Sequence, residues 1–440
     1  MEQTELKNLL ESLCRTLNDR HSSSEKCFVE KWILLDGGGT DLISFERTDF
    51  SVSATIFRTK NETPYIQLLN YIEGLEPVRV IVPIAGYNTK PEQLVTKLLK
   101  RAYVASEEKF DADRLFHSLI EFLALLSKES HDFSAVGRLL GVCLDVDCIE
   151  LSEEVNLVRL DNDAINERQP EIRNLSSHPV ILDYSNSNVE IRIRKTFQIV
   201  PHSEHSYFNI GNKAREEFSN IIDLVVKTIK LYRTGVYYIY PRSFSSPLVE
   251  GGESFSMDIK YIRPSDIQKF NESDAGKLKE SFLLVKDTIQ NDQVLARSFS
   301  RFLIGVDERI AEERIVDFVI AWESILLTCK GDSIKAEQIY RFSLNGAALL
   351  SFVDSSLNFI EMKEFMTNCY NIRSNIVHGA DKSNNNKILK KLNFISLDAV
   401  NTRISELYRK TISRLASIDI NERPYKAENG WEILLRQKSV

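Results

Sequence analysis

The sequence predicts an α+β N-terminal region followed by an all-α helical-bundle C-terminal domain. Three observations lead there. The chain is 440 residues long, more than one hydrophobic core comfortably serves, so two domains are the default. Up to about residue 268, short β-branched and aromatic runs alternate with helical segments and turn residues. Beyond about Ala275 the apolar residues recur almost only at helical spacing. The division falls at 1–268 and 269–440, and the first part splits further near residue 130.

Residues 1–20 open the chain with a short amphipathic helix carrying Leu6, Leu9, Leu10, Leu13 and Leu17 on one face. Strand-like runs follow at Val29–Leu35, Leu42–Phe45, Phe50–Phe57 and Val78–Ile84. Asp36-Gly-Gly-Gly-Thr40 lies between the first two. It could suggest a phosphate cradle, but no lysine and no helix start follows it, so it reads as a tight hairpin. Pro91–Val104 and Asp111–Leu126 have helical periodicity. A second β-rich stretch runs through Leu139–Val146, Cys148–Leu151, Val155–Leu160, Pro179–Leu182, Val189–Ile193 and Phe197–Val200. Asp145 and Asp147 fall on one face of a strand, where a hard cation or plain solvent could meet them. His202-x-x-His205 has zinc-like spacing but no third ligand nearby, and reads as surface. Ala214–Tyr232 is strongly helical, Val236–Tyr240 and Phe255–Ile262 are strand-like, and Pro264 begins the connection onward.

The C-terminal helices are expected around Leu295–Phe302, Arg314–Leu327 and Ile339–Leu350, and then from about Phe359. This last one places Met362, Phe365, Met366, Cys369, Ile372 and Ile376 on a buried face and ends at Gly379, where glycine takes the left-handed conformation without strain. Its final turns carry Arg373 and His378, five positions apart and so roughly 140° around the helix. Glu323 continues the apolar row Val316, Val319, Ile320 and Leu327, a costly place for a carboxylate without a cation; Arg373 or Arg341 could supply one. Ser383-Asn-Asn-Asn386 reads as a loop.

Taken as a set, Trp322-Glu323-Ser324-Ile325-Leu326, the segment Arg341 to Leu350, and Arg373-Ser-Asn-Ile-Val-His378-Gly resemble the HEPN superfamily, most closely its Apea-like branch. The resemblance covers the chain from about residue 275 to the end. It implies a metal-independent endoribonuclease, active as a homodimer, of the prokaryotic defence or toxin type and gated by its N-terminal region. His378 would be the general acid and base and Arg373 the phosphate clamp, with Asn375, Ser374, Glu323 and Arg341 in support. An inactive HEPN module that binds RNA or a protein partner is the alternative. Two departures matter: Ser374 stands where many active members have Asn, Asp or His, and Ala380 stands where a nucleotidylated branch has tyrosine.

Hydrophobic residues at 43% and charged ones at 27% fit an ordinary soluble chain, and no apolar run approaches a membrane span. The N-terminus shows no secretory signal, and six scattered cysteines form no Cys-x-x-Cys pair, so a cytoplasmic protein with reduced thiols is expected. No cofactor or metal is expected. The net charge is −7, but residues 373–414 hold nine basic side chains against Asp381, Asp398 and Glu406. Lys382, Lys387, Lys390 and Lys391 are therefore candidate RNA contacts, a solvated helix face plus loop being the plainer reading.

Overall fold

The structure is a computed structural model that describes residues 3–22, 28–34, 40–46, 48–75, 91–126, 128, 130–161, 164, 188–198, 206–233, 235, 238–245, 250–251, 267–328 and 338–437. It is mixed α+β, with a mostly helical C-terminal part. The chain divides into two compact units. One comprises Met1–Ile149, Glu153–Ile222 and Ile239–Ser265; the other comprises Glu150–Ser152, Asp223–Tyr238 and Asp266–Val440.

The first unit begins with α1 (Gln3–Ser22), whose Leu6, Leu9, Leu10, Leu13 and Leu17 are buried as the periodicity predicts. Strands β1 (Phe28–Leu34) and β2 (Thr40–Glu46) pair antiparallel, which agrees with a hairpin around the glycine run; residues 35–39 themselves lie outside the described residues. Helices α2 (Thr48–Thr59), α3 (Thr63–Gly74), α4 (Pro91–Ala105) and α5 (Ala112–Leu126) follow. The strand expected at Phe50–Phe57 is thus a helix. Its buried positions, Ser51, Val52, Thr55, Ile56 and Thr59, follow helical and not alternating spacing. Thr55 and Thr59 donate their hydroxyls to the carbonyls of Ser51 and Thr55 one turn back, so even their polar atoms are satisfied within the helix. The predicted strand at 78–84 lies outside the described residues.

Next come β3 (Ser130–Leu140), β4 (Val142–Leu144), β5 (Cys148–Ser152), β6 (Val155–Arg159), β7 (Val189–Gln198), α6 (Ser206–Tyr232), β8 (Tyr238–Ser245) and β9 (Glu250–Gly251). A six-stranded sheet forms in the order β5-β6-β7-β3-β8-β9. Strand β7 pairs antiparallel with both β3 and β6, setting Ile193 opposite Ala135 and Val155. Ile191 and Ile193 are buried while Arg192 and Arg194 are not, as the alternation predicts, and one strand replaces the two expected between Val189 and Val200. Phe197 bridges the sheet and α6, packing edge-on against Phe133 at 5.2 Å and Phe218 at 6.2 Å. The expected strands at 179–182 and 255–262, and His202 and His205, lie outside the described residues.

The second unit contains β10 (Gln268–Phe270), α7 (Glu272–Leu283), a π-helical turn (Leu284–Ile289), α8 (Gln293–Asp307), α9 (Ala311–Leu326), α10 (Gln338–Val353), α11 (Phe359–Val377), α12 (Lys382–Lys391), α13 (Leu397–Ala416) and α14 (Gly430–Arg436). Residues 383–386, expected as a loop, lie inside α12, because Asp381 caps it by accepting from the Ser383 amide. The core centres on Tyr408, stacked on Phe302 at 4.3 Å and met edge-on by Trp322 at 5.6 Å. The Tyr408 hydroxyl lies 2.7 Å from Ser298, whose own hydroxyl is 2.6 Å from the Ala321 carbonyl, so three helices share one buried polar chain. Asp292, at the start of α8, accepts from the Val294 and Leu295 amides, from Arg423 at 2.6 Å and from the Tyr425 hydroxyl at 2.9 Å. Arg423 also donates to the carbonyls of Ala416 and Ile418 at the end of α13.

Candidate functional site

Helix α11 is fixed at both ends. Asn358 caps its start, accepting from the Ile360 and Glu361 amides. Its middle is anchored by Met362, Phe365, Met366, Cys369 and Ile372, all buried, with Ile376 only partly so. Its end is a Schellman turn. Gly379 adopts φ +67°, its amide donates to the Ile376 carbonyl at 3.1 Å, and the Ala380 amide reaches the Asn375 carbonyl at 2.8 Å. His378 is the C-cap, its amide donating to the Ser374 carbonyl at 3.0 Å, and its side chain is exposed.

Arg373, in the turn before, is held between α11 and α9. Its guanidinium lies 3.8 Å from the Glu323 carboxylate, with 24% and 19% of the two side chains exposed. That separation is an ion pair without a hydrogen bond. The guanidinium carbon lies 5.9 Å from the centre of the Tyr370 ring, and Nε is buried with no hydrogen-bond partner. Arginine carries five N–H donors, and burying one unbonded costs on the order of 1–3 kcal/mol. Burial pushes the Glu323 carboxyl above the usual glutamate range, with Arg373 opposing the shift. Tyr370 rests on Phe342 at 5.2 Å; burial raises its phenol, Glu323 adds to the rise and Arg373 counters it.

The supporting residues are placed less uniformly. Asn375 donates its amide nitrogen to Asn385 of α12 at 2.9 Å, so that donor ties two helices together and does not face the imidazole. Ser374 is half-buried and contributes its carbonyl to the His378 cap. Arg341 sits in the first turn of α10, half-buried. Of the four lysines on α12, Lys382 pairs with Glu312 at 3.6 Å and Lys391 with Glu364 at 2.9 Å, leaving Lys387 and Lys390 exposed and without an ion pair among the described residues. Tyr370, beside Arg373, and Asn385, bonded to Asn375, are not among the site residues the sequence singles out. Tyr370 was within reach, since it lies three residues before Arg373 and shares its side of the helix.

Elsewhere, Asp145 and Asp147 lie in the bend between β4 and β5, and Asp147 pairs with Arg159, which corrects their expected place on a strand. Among the described residues no three His, Cys, Asp or Glu side chains gather closely enough to hold a metal. Cys14 and Cys369 are buried free thiols; burial, reinforced by Asp111, pushes Cys14 up to about 12, and burial raises Cys369 as well. No described helix is long and apolar enough to cross a membrane.

No family model, curated protein or solved structure matches the chain. What the site can do is therefore read from its own geometry. A partly exposed permanent cation, whose Nε is buried and unbonded, and an exposed imidazole stand in the last two turns of one helix. That pairing suits an anionic substrate whose reaction moves a proton.

Proposed function

We propose that the second unit is a metal-independent endoribonuclease of the HEPN type. It would work as a homodimer, as a defence or toxin effector whose activity the N-terminal region gates. The observation that supports this reading is the under-bonded Arg373 guanidinium one turn from the exposed His378.

RNA brings its own nucleophile. The 2′-oxygen bonds to phosphorus as the bond to the 5′-oxygen breaks, leaving a 2′,3′-cyclic phosphate. One proton leaves the 2′-hydroxyl and another reaches the departing 5′-oxygen. A neutral His378 imidazole takes the first and the protonated imidazolium of a second protomer supplies the other, so the two histidines end with their protonation states exchanged. Arg373 receives the non-bridging oxygens on the exposed part of its guanidinium. Glu323, held only at 3.8 Å, is a competitor that phosphate displaces.

Incubating the chain with total RNA in EDTA tests the proposal. His378→Ala should lower the cleavage rate by about 10²–10⁴-fold, and Arg373→Ala by about 10²–10³-fold. Metal-stimulated cutting that survives in His378→Ala would refute it. The second reading, a module that grips RNA without cutting, is favoured by Ser374 and by the commitment of the Asn375 amide to Asn385. It predicts RNA binding that Arg373→Ala weakens, with no cleavage by the wild-type chain.

A further inference from the structure

We infer that α12 is a strap that holds the site idle, with Asn385 as its latch on Asn375. This rests on the ribonuclease reading above and extends it to how that site is restrained. The position of α12 comes first. Lys391 reaches Glu364 at 2.9 Å and Asn385 accepts from Asn375 at 2.9 Å, so α12 runs antiparallel along α11. Glu364 and Asn375 are eleven residues apart, roughly 20° around a helix, and so share one face. His378 lies about 60° from Asn375, whereas Arg373 lies about 160° away and turns toward Glu323 of α9. The strap therefore flanks the imidazole and not the guanidinium.

Little holds α12 in place. None of its ten residues is buried, and its apolar Ile388, Leu389 and Leu392 are each partly exposed. Its ion pairs, Lys382 with Glu312 and Lys391 with Glu364, lie at the surface, where such pairs contribute little. Two left-handed residues bound the helix, Gly379 at φ +67° and Asn393 at φ +58°; past the second, Phe394 rests on Phe365 at 6.1 Å. A helix with so few buried contacts opens at low free-energy cost. What ties it to the site is the Asn375–Asn385 bond, made between Arg373 and His378 in the chain. While it is made, the Asn375 amide is occupied. The His378 imidazole, for its part, has no hydrogen-bond partner among the described residues. Three residues before His378, a released Asn375 carboxamide comes within reach of that ring and can fix its orientation for proton transfer. Asn375 is thus a positioning residue, and Asn385 withholds it.

Cleavage of saturating total RNA in EDTA is compared across variants of the full chain. Asn385→Ala should raise the rate by about 2- to 10-fold, the worth of one hydrogen bond. Asn385→Asp keeps the accepting oxygen and should stay at the wild-type rate. In Asn375→Ala the carboxamide to be released is gone, so adding Asn385→Ala should gain nothing. In the wild type, amides of 382–391 should exchange with solvent sooner than those of 365–372. The latch is overturned, and the ribonuclease reading left standing, if Asn385→Ala cuts no faster than the wild type, if its gain survives without Asn375, or if the two helices are equally protected. If neither the wild type nor Asn385→Ala cuts RNA, both fall.

Discussion

Arg423 meets Asp292 at 2.6 Å with both side chains almost wholly buried, whereas Arg373 meets Glu323 at 3.8 Å with 24% and 19% exposed. Every nitrogen of the first arginine makes a hydrogen bond. Its nitrogens reach a carboxylate and two helix-terminal carbonyls, and the carboxylate in turn takes a phenol and two amides. Burial alone would raise the Asp292 carboxyl, but hydrogen bonds from Tyr425, Arg423 and the Leu295 and Val294 amides hold it below the usual aspartate range. At the second pair burial prevails, and Glu323 is raised despite Arg373. A buried pair with every nitrogen and both carboxylate oxygens bonded closes a fold; a looser, partly exposed pair leaves its cation room for another partner.

Stability should separate the two most sharply. Arg423→Ala leaves a buried carboxylate uncompensated and should cost about 3–5 kcal/mol. Arg373→Ala removes a loose, partly exposed pair and should cost no more than about 1 kcal/mol. Urea denaturation of both variants measures the difference, and a larger loss at Arg373 than at Arg423 would reverse the comparison. Gly379→Ala forces a side chain into the left-handed region and should cost about 1–2 kcal/mol. Because that turn also fixes the His378 cap, the same change should slow RNA cleavage more than its stability loss explains.

The pH dependence is smaller, and its sign differs between the pairs. A depressed aspartate adds stability that is present above its ordinary value of 3.8 and is lost as pH falls through its folded value, so the deficit of Asp292→Asn should grow as pH rises from below 3.8. A raised glutamate contributes stability that is complete below 4.5 and is lost as pH rises through its folded value. Glu323→Gln should therefore gain on the wild type over that rise. Unfolding free energies measured from acid to neutral pH check both, and parallel slopes would mean that the two carboxylates share one environment.

The open pair was more legible than the closed one. Glu323 sits in an apolar row and Arg373 at the end of another, so each announces an oddity in its own helix. Asp292, Arg423 and Tyr425 carry no such mark, because Asp292 is 131 residues away from Arg423 in the chain and only the fold brings them together. Where local pattern decides, as in α1 and α11, the elements follow the sequence; Gly379 ends its helix where glycine should. Helix α2 misleads, since Phe50, Val52 and Ile56 alternate like a strand while buried Ser51, Thr55 and Thr59 complete a helical face through hydroxyls that sequence reading counts as polar. Helix α12 hides for a similar reason: its asparagines suggest a loop, and what holds them is the Asp381 cap and the Asn375–Asn385 bond. Helix α3 lies outside the expected elements, although Pro64 in its first turn and Tyr65, Leu68 and Ile72 at helical spacing mark it.

The most direct measurement is cleavage, in EDTA, of a deoxyribonucleotide strand that contains a single ribonucleotide. A loosely paired guanidinium and an exposed imidazole that use the substrate's own hydroxyl should cut only on the 3′ side of that ribose and leave a 2′,3′-cyclic phosphate there. The product should disappear in both Arg373→Ala and His378→Ala. Cutting at deoxyribose positions, or a cyclic phosphate that still forms without His378, would contradict the account.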